Sequence, residues 1–370
     1  MTVQTLPGET AFADPELCRS LLDLLNEQLD APLRFMEVCG THTVSIFRSG
    51  LRSLLPEGVS HLSGPGCPVC VTHDRELAAC MQLAAKENIV IATFGDLMRV
   101  PGPDGITLKR AKARGAAVEI VYSPLDALKL AQDNKDREIV FLGVGFETTA
   151  PTVAATIQMA VADRLTNFSV LAFHKLVPPA LDALLADAAE TDEPGVDAFL
   201  LPGHVSTILG INPYRFMAER YGKPGVIGGF EPTDILQSLL LMLQMRKQKK
   251  PDIINQYSRA VDDQGNARAR DIMFSIFEPA DALWRGIGLI PGSGLAIREN
   301  FAEYDAARRF ALSLPDVPEI RGCKCGDVLK GRIMPNQCPL FGKACTPASP
   351  VGPCMVSTEG SCAAYYKYAC

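Results

Sequence analysis

Cysteine is the residue type that dominates the reactive chemistry of this chain. Seven of its twelve cysteines lie between Cys323 and Cys370, in a segment rich in glycine and proline. Thiolates are soft ligands that select iron–sulfur clusters, zinc or copper(I). A loop-rich segment of this length buries too little apolar surface to fold without cross-links. The sequence therefore predicts a metal-holding module at the carboxyl end.

The spacing of these cysteines does not by itself identify the metal. Gaps of 14, 6 and 16 residues separate Cys323, Cys338, Cys345 and Cys362, and Cys325 and Cys354 form a second pair between them. Four thiolates suit a [4Fe–4S] cluster, although the spacing matches neither a ferredoxin run nor a zinc ribbon. A cluster is favoured, and structural zinc and disulfides stay open. If Cys323 is a ligand, Cys325 lies close enough to exchange electrons with the cluster.

A C-x-x-C element, Cys67-Pro68-Val69-Cys70, stands far upstream of this module. The turn Gly64-Pro65-Gly66 precedes it, and the helix expected after it carries Asp74 and Glu76 in its first turn. This placement between a strand and a helix predicts a lowered thiol pKa and reversible disulfide formation. Half of a zinc site and two inert buried thiols are the alternatives.

Cys39 ends the first predicted strand and is followed by Gly40, Thr41 and His42. A cysteine with a nearby histidine is either a nucleophile activated by a base or a metal ligand. A small core residue is the alternative. The remaining cysteines divide between Cys18 and Cys80, which we expect in helix cores, and Cys370, which we leave unassigned.

Histidines and glutamates follow several other strands. His174 and His204 each follow an apolar run, and the phrase Gly-Phe-Glu places Glu147 and Glu231 at two strand-to-helix corners. The histidines are either site residues or satisfied structural residues. The glutamates either position a ligand or partner or favour the helix dipole as caps. His61 and His73 have no distinguishing context.

The pattern of apolar runs sets the fold class. Short unbroken apolar strands alternate with helices of 10 to 15 residues, which is typical of parallel sheets covered on both faces. We predict an α/β fold with two Rossmann-like βαβ domains and a small Cys-rich iron–sulfur domain. The expected divisions are an N-terminal helix that packs near the C-terminal part (1–30), domain I (31–135), domain II (136–248), connector helices (249–320) and the [4Fe–4S] domain (321–370).

The position of the polar residues along this pattern indicates a shared site. Cys39, the Cys67 turn, Glu147, His174 and His204 all come directly after strands. Ligands in open α/β sheets bind at the carboxyl ends of the strands. We therefore expect these residues on one edge of the sheets.

Composition excludes several classes of function. The net charge is -6 and the pI is about 5.5, so a nucleic-acid partner is not expected. The longest apolar runs are too short to cross a bilayer, and the N-terminus has no targeting pattern. We expect a cytoplasmic protein, where clustered cysteines favour metal or redox chemistry over structural disulfides.

A series of motifs resembles the HypD family of hydrogenase maturation proteins. The resemblance runs from Phe35 to Tyr368 and is specific because the motifs occur in the same order. The motifs are MEVCGTHTVSIFRSGLRSLLP, SGPGCPVCVT, GFETTAPT, LPGHVSTILG, GGFEPTDIL, GCKCGDVLKG and CTPASPVGPCMVSTEGSCAAYYKY.

The resemblance implies a scaffold on which the Fe(CN)2CO group of [NiFe]-hydrogenases is assembled. It implies a HypC-like small chaperone and a HypE-like partner that donates cyanide. It implies that Cys39 binds the iron beside His42 and that Cys67 and Cys70 are a thiol couple. It further implies that Cys323, Cys338, Cys345 and Cys362 hold a [4Fe–4S] cluster next to a Cys325/Cys354 disulfide. Val44 stands where many members carry a second histidine, so a role of that imidazole would fall here to His42 or water.

These implications give one mechanism and two rivals. Electrons are expected to pass from the cluster through Cys325/Cys354 to Cys67/Cys70, and from there to the assembly of the diatomic ligands on an iron at Cys39. The first rival is a stand-alone [4Fe–4S]-dependent thiol-disulfide reductase. The second rival is a zinc-stabilised interaction scaffold with no redox role.

Overall fold

The computed structural model describes residues 13–102, 105–190, 195–317 and 320–368. Its strands are β1 (Leu33–Glu37), β2 (Val59–Ser63), β3 (Ile89–Thr93), β4 (Val118–Ile120), β5 (Glu138–Gly143), β6 (Phe168–Ala172), β7 (Ala198–Pro202), β8 (Gly225–Gly228), β9 (Ile253–Asn255), β10 (Phe277–Trp284) and β11 (Gly288–Ile297). Its α-helices are α1 (Pro15–Gln28), α2 (Gly40–Arg48), α3 (Leu51–Leu54), α4 (Pro68–Val71), α5 (Asp74–Ala84), α6 (Leu108–Ala113), α7 (Pro124–Asp133), α8 (Ala150–Ala162), α9 (Val177–Ala189), α10 (Gly203–Leu209), α11 (Arg215–Tyr221), α12 (Pro232–Gln248), α13 (Ala267–Ile276), α14 (Ala306–Arg309), α15 (Cys325–Leu329) and α16 (Ser361–Tyr368).

Two parallel sheets carry the fold, which confirms the predicted α/β class. One sheet has the order β2-β1-β7-β8-β9 and the other the order β4-β3-β5-β6, and every neighbouring pair in them is parallel. The chain builds β1 and β2, leaves to build the whole four-stranded sheet, and returns for β7 to β9.

This interleaving differs from the contiguous domains that the sequence predicts. A boundary at 135/136 falls between β4 and β5, inside the four-stranded sheet, so 31–135 and 136–248 do not each contain one sheet. Both sheets consist of unbroken apolar runs, and such runs indicate burial on two faces without indicating which strand is the neighbour.

Each face of the five-stranded sheet is covered. Phe35 of β1 and Leu200 of β7 pack with α12 on one face, and Met36 of β1 and Phe199 of β7 pack with α9 and α11 on the other. Successive residues of a strand point to opposite faces, so this alternation follows from strand geometry. Burial on both faces makes these strands apolar throughout.

The four-stranded sheet has one face that bears directly on the cysteines. Phe141 of β5 packs towards α7, α8 and α13, whereas Leu142 packs towards α5 and the thiols of the carboxyl-terminal segment. Cys70, Cys325 and Cys354 share this second cluster of buried side chains. The Cys-rich segment is thus seated on the face of a sheet rather than held apart from it.

The expected connector helices at 249–320 are only partly present. This stretch contributes the edge strand β9, the helix α13 and the antiparallel hairpin β10–β11, which the sequence analysis did not predict. Trp284 is buried in the hairpin, where its indole N–H donates to Ser293 Oγ at 2.7 Å. Isolated bridges join the hairpin to Thr72 and to Lys175. The hairpin therefore connects α4 to the end of β6.

The N-terminal helix has a different neighbour from the predicted one. α1 lies along α12, with Leu25 fully buried among the side chains of that helix. The amphipathic pattern of α1 predicts a buried face but does not specify which surface covers it. Within the described ranges no helix is long and apolar enough to cross a membrane.

Candidate functional site

Cys39 lies at the carboxyl end of β1, in the extended residue that precedes α2. It is buried, and its N–H donates to the Glu37 carboxylate at 2.9 Å. The next amide, of Gly40, donates to the Gly66 carbonyl at 3.0 Å. These two bonds fix the backbone around the thiol and attach it to the turn that precedes the C-x-x-C element.

Gly66, which precedes Cys67, packs directly against the backbone of Cys39. A Cβ atom on Gly66 would lie 2.2 Å from the Cys39 nitrogen, so only glycine fits there. The following residue, Cys67, caps α4, and its sulfur accepts the Cys70 N–H at 3.2 Å. The loop that contains Cys39 therefore packs against the turn that leads into the Cys67/Cys70 element, as predicted.

The thiols form a continuous series from the N-terminal sheet to the carboxyl-terminal module. Cys70 lies within side-chain hydrogen-bonding reach of both Cys67 and Cys354. Cys354 in turn reaches Cys325. Cys354 is thus the thiol that joins the C-x-x-C element to the predicted Cys325/Cys354 pair.

The module beyond this pair encloses a cavity lined by cysteine and apolar side chains. Cys323 reaches Cys325, and Cys362 reaches Cys354. The cavity wall contains all four predicted cluster ligands together with the second pair: Cys323, Cys325, Cys338, Cys345, Cys354 and Cys362. The other lining residues are Lys324, Val328, Leu340, Phe341, Gly352 and Met355. The structure therefore brings together six cysteines that the spacing alone left in doubt.

The cysteine side chains are distributed around the wall of the cavity. Across the described ranges, no three His, Cys, Asp or Glu side chains converge closely enough to share one metal ion. A zinc site requires four ligands on one ion. In a [4Fe–4S] cluster the four thiolates bind as a Cys₄ set around a much larger group. The thiols that line this one cavity include enough cysteines for the Cys₄ set of such a cluster.

Burial controls the charge state of the thiols. It raises the pKa of Cys39 to about 12, with the Glu359 and Glu37 carboxylates adding to the effect. Burial also raises the pKa of Cys70 well above its ordinary value, so the lowered value predicted for this pair is wrong for Cys70. The apolar surroundings outweigh the helix start that motivated the prediction. A cation bound at Cys39 must displace a firmly held proton.

A buried arginine opposes the effect of burial on the pKa of Cys323 and Cys325 in the carboxyl-terminal module. Arg285, in the turn between β10 and β11, pairs with Asp74 at 2.8 Å and lies close enough to Cys325 and Cys354 to interact with their charges. The next residue, Gly286, has a φ of 72°, and a Cβ there would lie 2.4 Å from the Gly326 Cα. Backbone-to-backbone contact therefore docks the hairpin turn onto α15.

His42 lies in the first turn of α2 and faces β8. Its Nε2 contacts the carbonyls of Gly228 and Gly229 at 3.2 and 3.0 Å, which makes Nε2 the protonated nitrogen. Its Nδ1 has no hydrogen-bond partner among the described residues. Burial lowers the pKa of His42 to about 4. His42 is therefore a neutral imidazole with an available Nδ1 lone pair.

Two further candidates extend this edge of the sheets. His204 stacks on Phe230 with ring centroids 4.0 Å apart, and the ring of His42 packs on the same phenylalanine at 4.6 Å. Glu147 is fully buried, and its Oε1 accepts the N–H of Val177 at the start of α9. Burial raises the pKa of Glu147 to about 7. Glu147 thus caps a different helix from the one that follows it in sequence.

The other polar candidates have structural surroundings. Glu231 is the N-cap of α12, and its N–H donates to Asp234 Oδ2 at 3.2 Å. His174 is buried against Phe277, and His73 caps α5. His61 lies 3.7 Å from Glu37. Cys80 is buried on α5 and Cys18 is half-buried on α1 against α12, as expected, and Cys370 lies outside the described residues.

Sequence reasoning missed two glutamates of this site. Glu37 is fully buried at the end of β1 and accepts from Cys39 and from the Thr43 hydroxyl at 2.5 Å. Glu359 accepts from the Thr41 hydroxyl at 2.9 Å, and its Cβ would clash with any side chain at Gly40. A charged residue within an apolar strand is a readable signal for Glu37. Nothing local in the sequence marks Glu359.

Comparison with known proteins identifies close relatives. A family model for HypD, described as the hydrogenase formation hypA family, matches residues 16–369. The hydrogenase maturation factor HypD2 of Bradyrhizobium diazoefficiens is 45% identical over 362 residues, covering 96% of this chain and 95% of that protein. The hydrogenase maturation factor HypD of Rhodobacter capsulatus is 45% identical, with coverage of 96% and 97%. That of Escherichia coli K12 is 44% identical, with coverage of 96% and 96%.

Proposed function

Because the chain belongs to the HypD family of hydrogenase maturation factors, we propose that it is the scaffold on which the Fe(CN)2CO group of a [NiFe]-hydrogenase is assembled. One observation carries the proposal. The Cys39 loop packs against the turn that leads into the Cys67/Cys70 element, and Cys70 lies near Cys354 of the carboxyl-terminal module. Sulfur donors suit an iron that carries cyanide and carbonyl ligands.

The iron under assembly is the cargo of this scaffold. Cys39 supplies one thiolate, and a HypC-like small chaperone supplies another from its own chain. The rigid backbone around Cys39 supports this role, since the bonds to Glu37 and Gly66 hold the sulfur in one place. The Nδ1 atom of His42 is a neutral donor on the same loop, so it is suited to accept a proton or a hydrogen bond.

The carboxyl-terminal module is suited to hold a [4Fe–4S] cluster. Cys323, Cys338, Cys345 and Cys362 are the four ligands, and their position around one cavity with apolar side chains supports this assignment. When bound, such a cluster supplies electrons one at a time at low potential. Cys325 and Cys354 stay free of ligation in this assignment and act as a dithiol.

The two dithiols exchange by ordinary thiol–disulfide chemistry. The Cys354 thiolate attacks the Cys70 sulfur of a Cys67–Cys70 disulfide, and Cys67 leaves as a thiolate. Cys325 then attacks Cys354 and releases Cys70. Two electrons have moved: the Cys325/Cys354 pair is oxidised and the Cys67/Cys70 pair is reduced. The contact of Cys354 with both Cys70 and Cys325 supports this order of attack.

A HypE-like partner is the proposed source of cyanide, carried as a thiocyanate. Release of cyanide from a thiocyanate requires two electrons, which is what one dithiol delivers. The Cys67/Cys70 pair lies next to the Cys39 loop, so reduction and capture of cyanide by iron take place at adjacent positions.

Infrared spectroscopy of the anaerobic protein with its small partner tests the proposal. We expect infrared bands from iron-bound cyanide and carbonyl. We also expect the sulfide content of one [4Fe–4S] cluster and an iron content one atom higher than that cluster accounts for. Cys338→Ala or Cys345→Ala is expected to lose the sulfide and the cluster iron. A complex without cyanide bands, or without iron beyond the cluster, contradicts the scaffold role.

A stand-alone thiol–disulfide reductase is the second candidate. The series of thiols from the module to Cys67 favours it, because that series is complete without Cys39. The two functions separate in a Cys39→Ala variant. A reductase retains its function in such a variant, whereas the scaffold loses it.

A further inference from the structure

Ser357 is a buried hydroxyl that contacts the reactive sulfur of Cys67. The Cys67 thiol donates to Ser357 Oγ across 3.4 Å, and the Ser357 hydroxyl donates to Asp96 Oδ2, also across 3.4 Å. Ser357 is almost fully buried at 1% exposure, whereas Asp96 is only half-buried. The three groups therefore form a path from a buried sulfur towards the surface.

We infer that Ser357 and Asp96 form a proton relay for Cys67, so that the proton of this thiol leaves and returns through the serine hydroxyl. When Cys67 attacks, its S–H bond breaks and a new O–H bond forms on Ser357. The former hydroxyl proton of Ser357 passes to the Asp96 carboxylate. One proton moves, no electron moves with it, and the reverse path reprotonates Cys67 when it leaves a disulfide.

The surroundings of the sulfur show why such a relay matters. Cys67 is 4% exposed, so bulk water cannot take its proton directly. The Cys70 N–H at 3.2 Å stabilises negative charge on the sulfur but accepts no proton. In the described part of the chain, Ser357 is the hydrogen-bond acceptor that the structure gives to this thiol. A carboxylate behind a hydroxyl provides the base that the sulfur itself does not touch.

The hydroxyl is held in place by its own neighbours. The Glu359 N–H donates to Ser357 Oγ at 3.2 Å, and the preceding carbonyl, of Val356, accepts from Arg99 at 3.1 Å. Asp96 is the second residue of the 3-10 turn Gly95–Arg99 after β3, so this turn contributes both the carboxylate and the arginine. Ser357 is thus fixed between the four-stranded sheet and the carboxyl-terminal module.

The test follows the rate at which the Cys67–Cys70 disulfide forms in the full-length protein. The reduced chain is mixed with cystamine, quenched in acid, alkylated and analysed by mass spectrometry of the peptide that contains both cysteines. Ser357→Ala is expected to slow disulfide formation roughly 10- to 100-fold, at or below the usual range for a positioned acid or base. Ser357→Thr, which keeps the hydroxyl, is expected to restore most of the rate.

Two further variants separate a relay from a structural role. Asp96→Asn is expected to slow the reaction like Ser357→Ala, and the double variant is expected to be no slower than the slower single one, because the two groups act in series. The wild-type rate is expected to fall in deuterium oxide, and that isotope effect should disappear in Ser357→Ala. Ser238→Ala, which removes another buried hydroxyl, is the control and should leave the rate unchanged.

The inference rests on the proposed role of the Cys67/Cys70 pair, and the two fail in different ways. If Cys67→Ala still supports hydrogenase maturation, the proposed function of the pair is wrong whatever the exchange rates. If Cys67→Ala abolishes maturation but Ser357→Ala forms the disulfide at the wild-type rate, the relay is wrong. Ser357→Thr as slow as Ser357→Ala, with an unchanged melting temperature, also overturns it.

Discussion

At the scale of single residues, the account depends most on Cys39, and its substitution separates assembly from folding. Cys39→Ala is expected to abolish hydrogenase maturation and to leave the iron and sulfide of the module unchanged. The thiol is buried at the end of β1, and alanine fits the same space without a new polar group. Measurements of hydrogenase activity, metal content and melting temperature on one preparation check this. Cys80→Ala is the matched control, as a second buried thiol outside the site, and maturation that survives Cys39→Ala refutes the ligand role.

Glu147 predicts a pH dependence of stability with a definite sign. Burial raises its pKa to about 7, so the folded chain holds this proton more tightly than the unfolded chain does. The resulting contribution to stability is complete below the ordinary pKa of 4.5 and is lost as the pH rises through about 7. We expect the free energy of unfolding of Glu147→Gln to lack this decline, which amounts to about 3 kcal/mol in the wild type.

Urea unfolding of both proteins at several pH values between about 5 and 8 measures this difference. Only the difference between wild type and variant is interpreted, because other buried groups titrate equally in both. Two curves that stay parallel across this range would show that Glu147 has an ordinary pKa in the folded chain.

The sequence predicted which cysteines lie together, but it did not predict the polar residues that contact the site. Six cysteines of the module were predicted to belong together, because soft ligands in a short loop-rich segment have few other uses. Glu37, Glu359 and Ser357 were missed. Each acts through a contact made across the fold, and a serine or a glutamate occurs too often to mark such a contact by itself.

At the scale of elements, the β10–β11 hairpin is the feature that positions the carboxyl-terminal module. Its turn places Arg285 beside the thiols and presses Gly286 against Gly326 of α15. The hairpin also bridges Thr72 and Lys175, which follow α4 and β6. One two-stranded element thus connects both groups of thiols to the four-stranded sheet.

Gly286→Ala is expected to weaken this docking. The new Cβ would meet the Gly326 Cα at 2.4 Å in addition to the cost of a φ of 72°. We expect a loss of about 2–5 kcal/mol, the sum of a left-handed alanine and an overpacked contact. Limited proteolysis and chemical unfolding, together with the amount of cluster retained, measure the effect.

Gly292→Ala is the matched control in the same hairpin. Its φ is 61°, but a Cβ there meets no atom within 4 Å, so only the backbone cost of about 1–2 kcal/mol is expected. Equal losses for the two variants would mean that the contact with Gly326 contributes nothing to the docking.

Most regular elements were predictable from sequence, and the exceptions have physical causes. The helix at Pro124–Asp133 is an example, since a capping serine followed by proline marks its start in the sequence. The hairpin was missed because LIPGSGLAI contains Pro291, Gly292 and Gly294, and proline and glycine at this density are typical of a loop. Its register contains a bulge between Ala280 and Ala282, which interrupts the strand alternation.

At the scale of the whole molecule, the order of the strands determines where the chemistry takes place. The chain builds β1 and β2 of one sheet, then the complete second sheet, and then returns. Cys39 and Cys67 therefore come before the second sheet, and β7 afterwards pairs with β1, with β8 next to β7. The edge that holds the polar residues was predicted from strand ends alone. The assignment of strands to the two sheets was not predicted, because an apolar run indicates that a strand is buried but does not indicate which distant strand it pairs with.

The proposed electron path depends most on the proximity of Cys70 to Cys354, because this pair joins the carboxyl-terminal thiols to the Cys67/Cys70 element. The direct measurement is disulfide trapping in a Cys67→Ala, Cys325→Ala double variant treated with cystamine and mapped by mass spectrometry. The account predicts a Cys70–Cys354 disulfide as the main product, with Cys18 unpaired as the internal control. Cys70 recovered as a free thiol, with Cys354 paired elsewhere or unpaired, would contradict it.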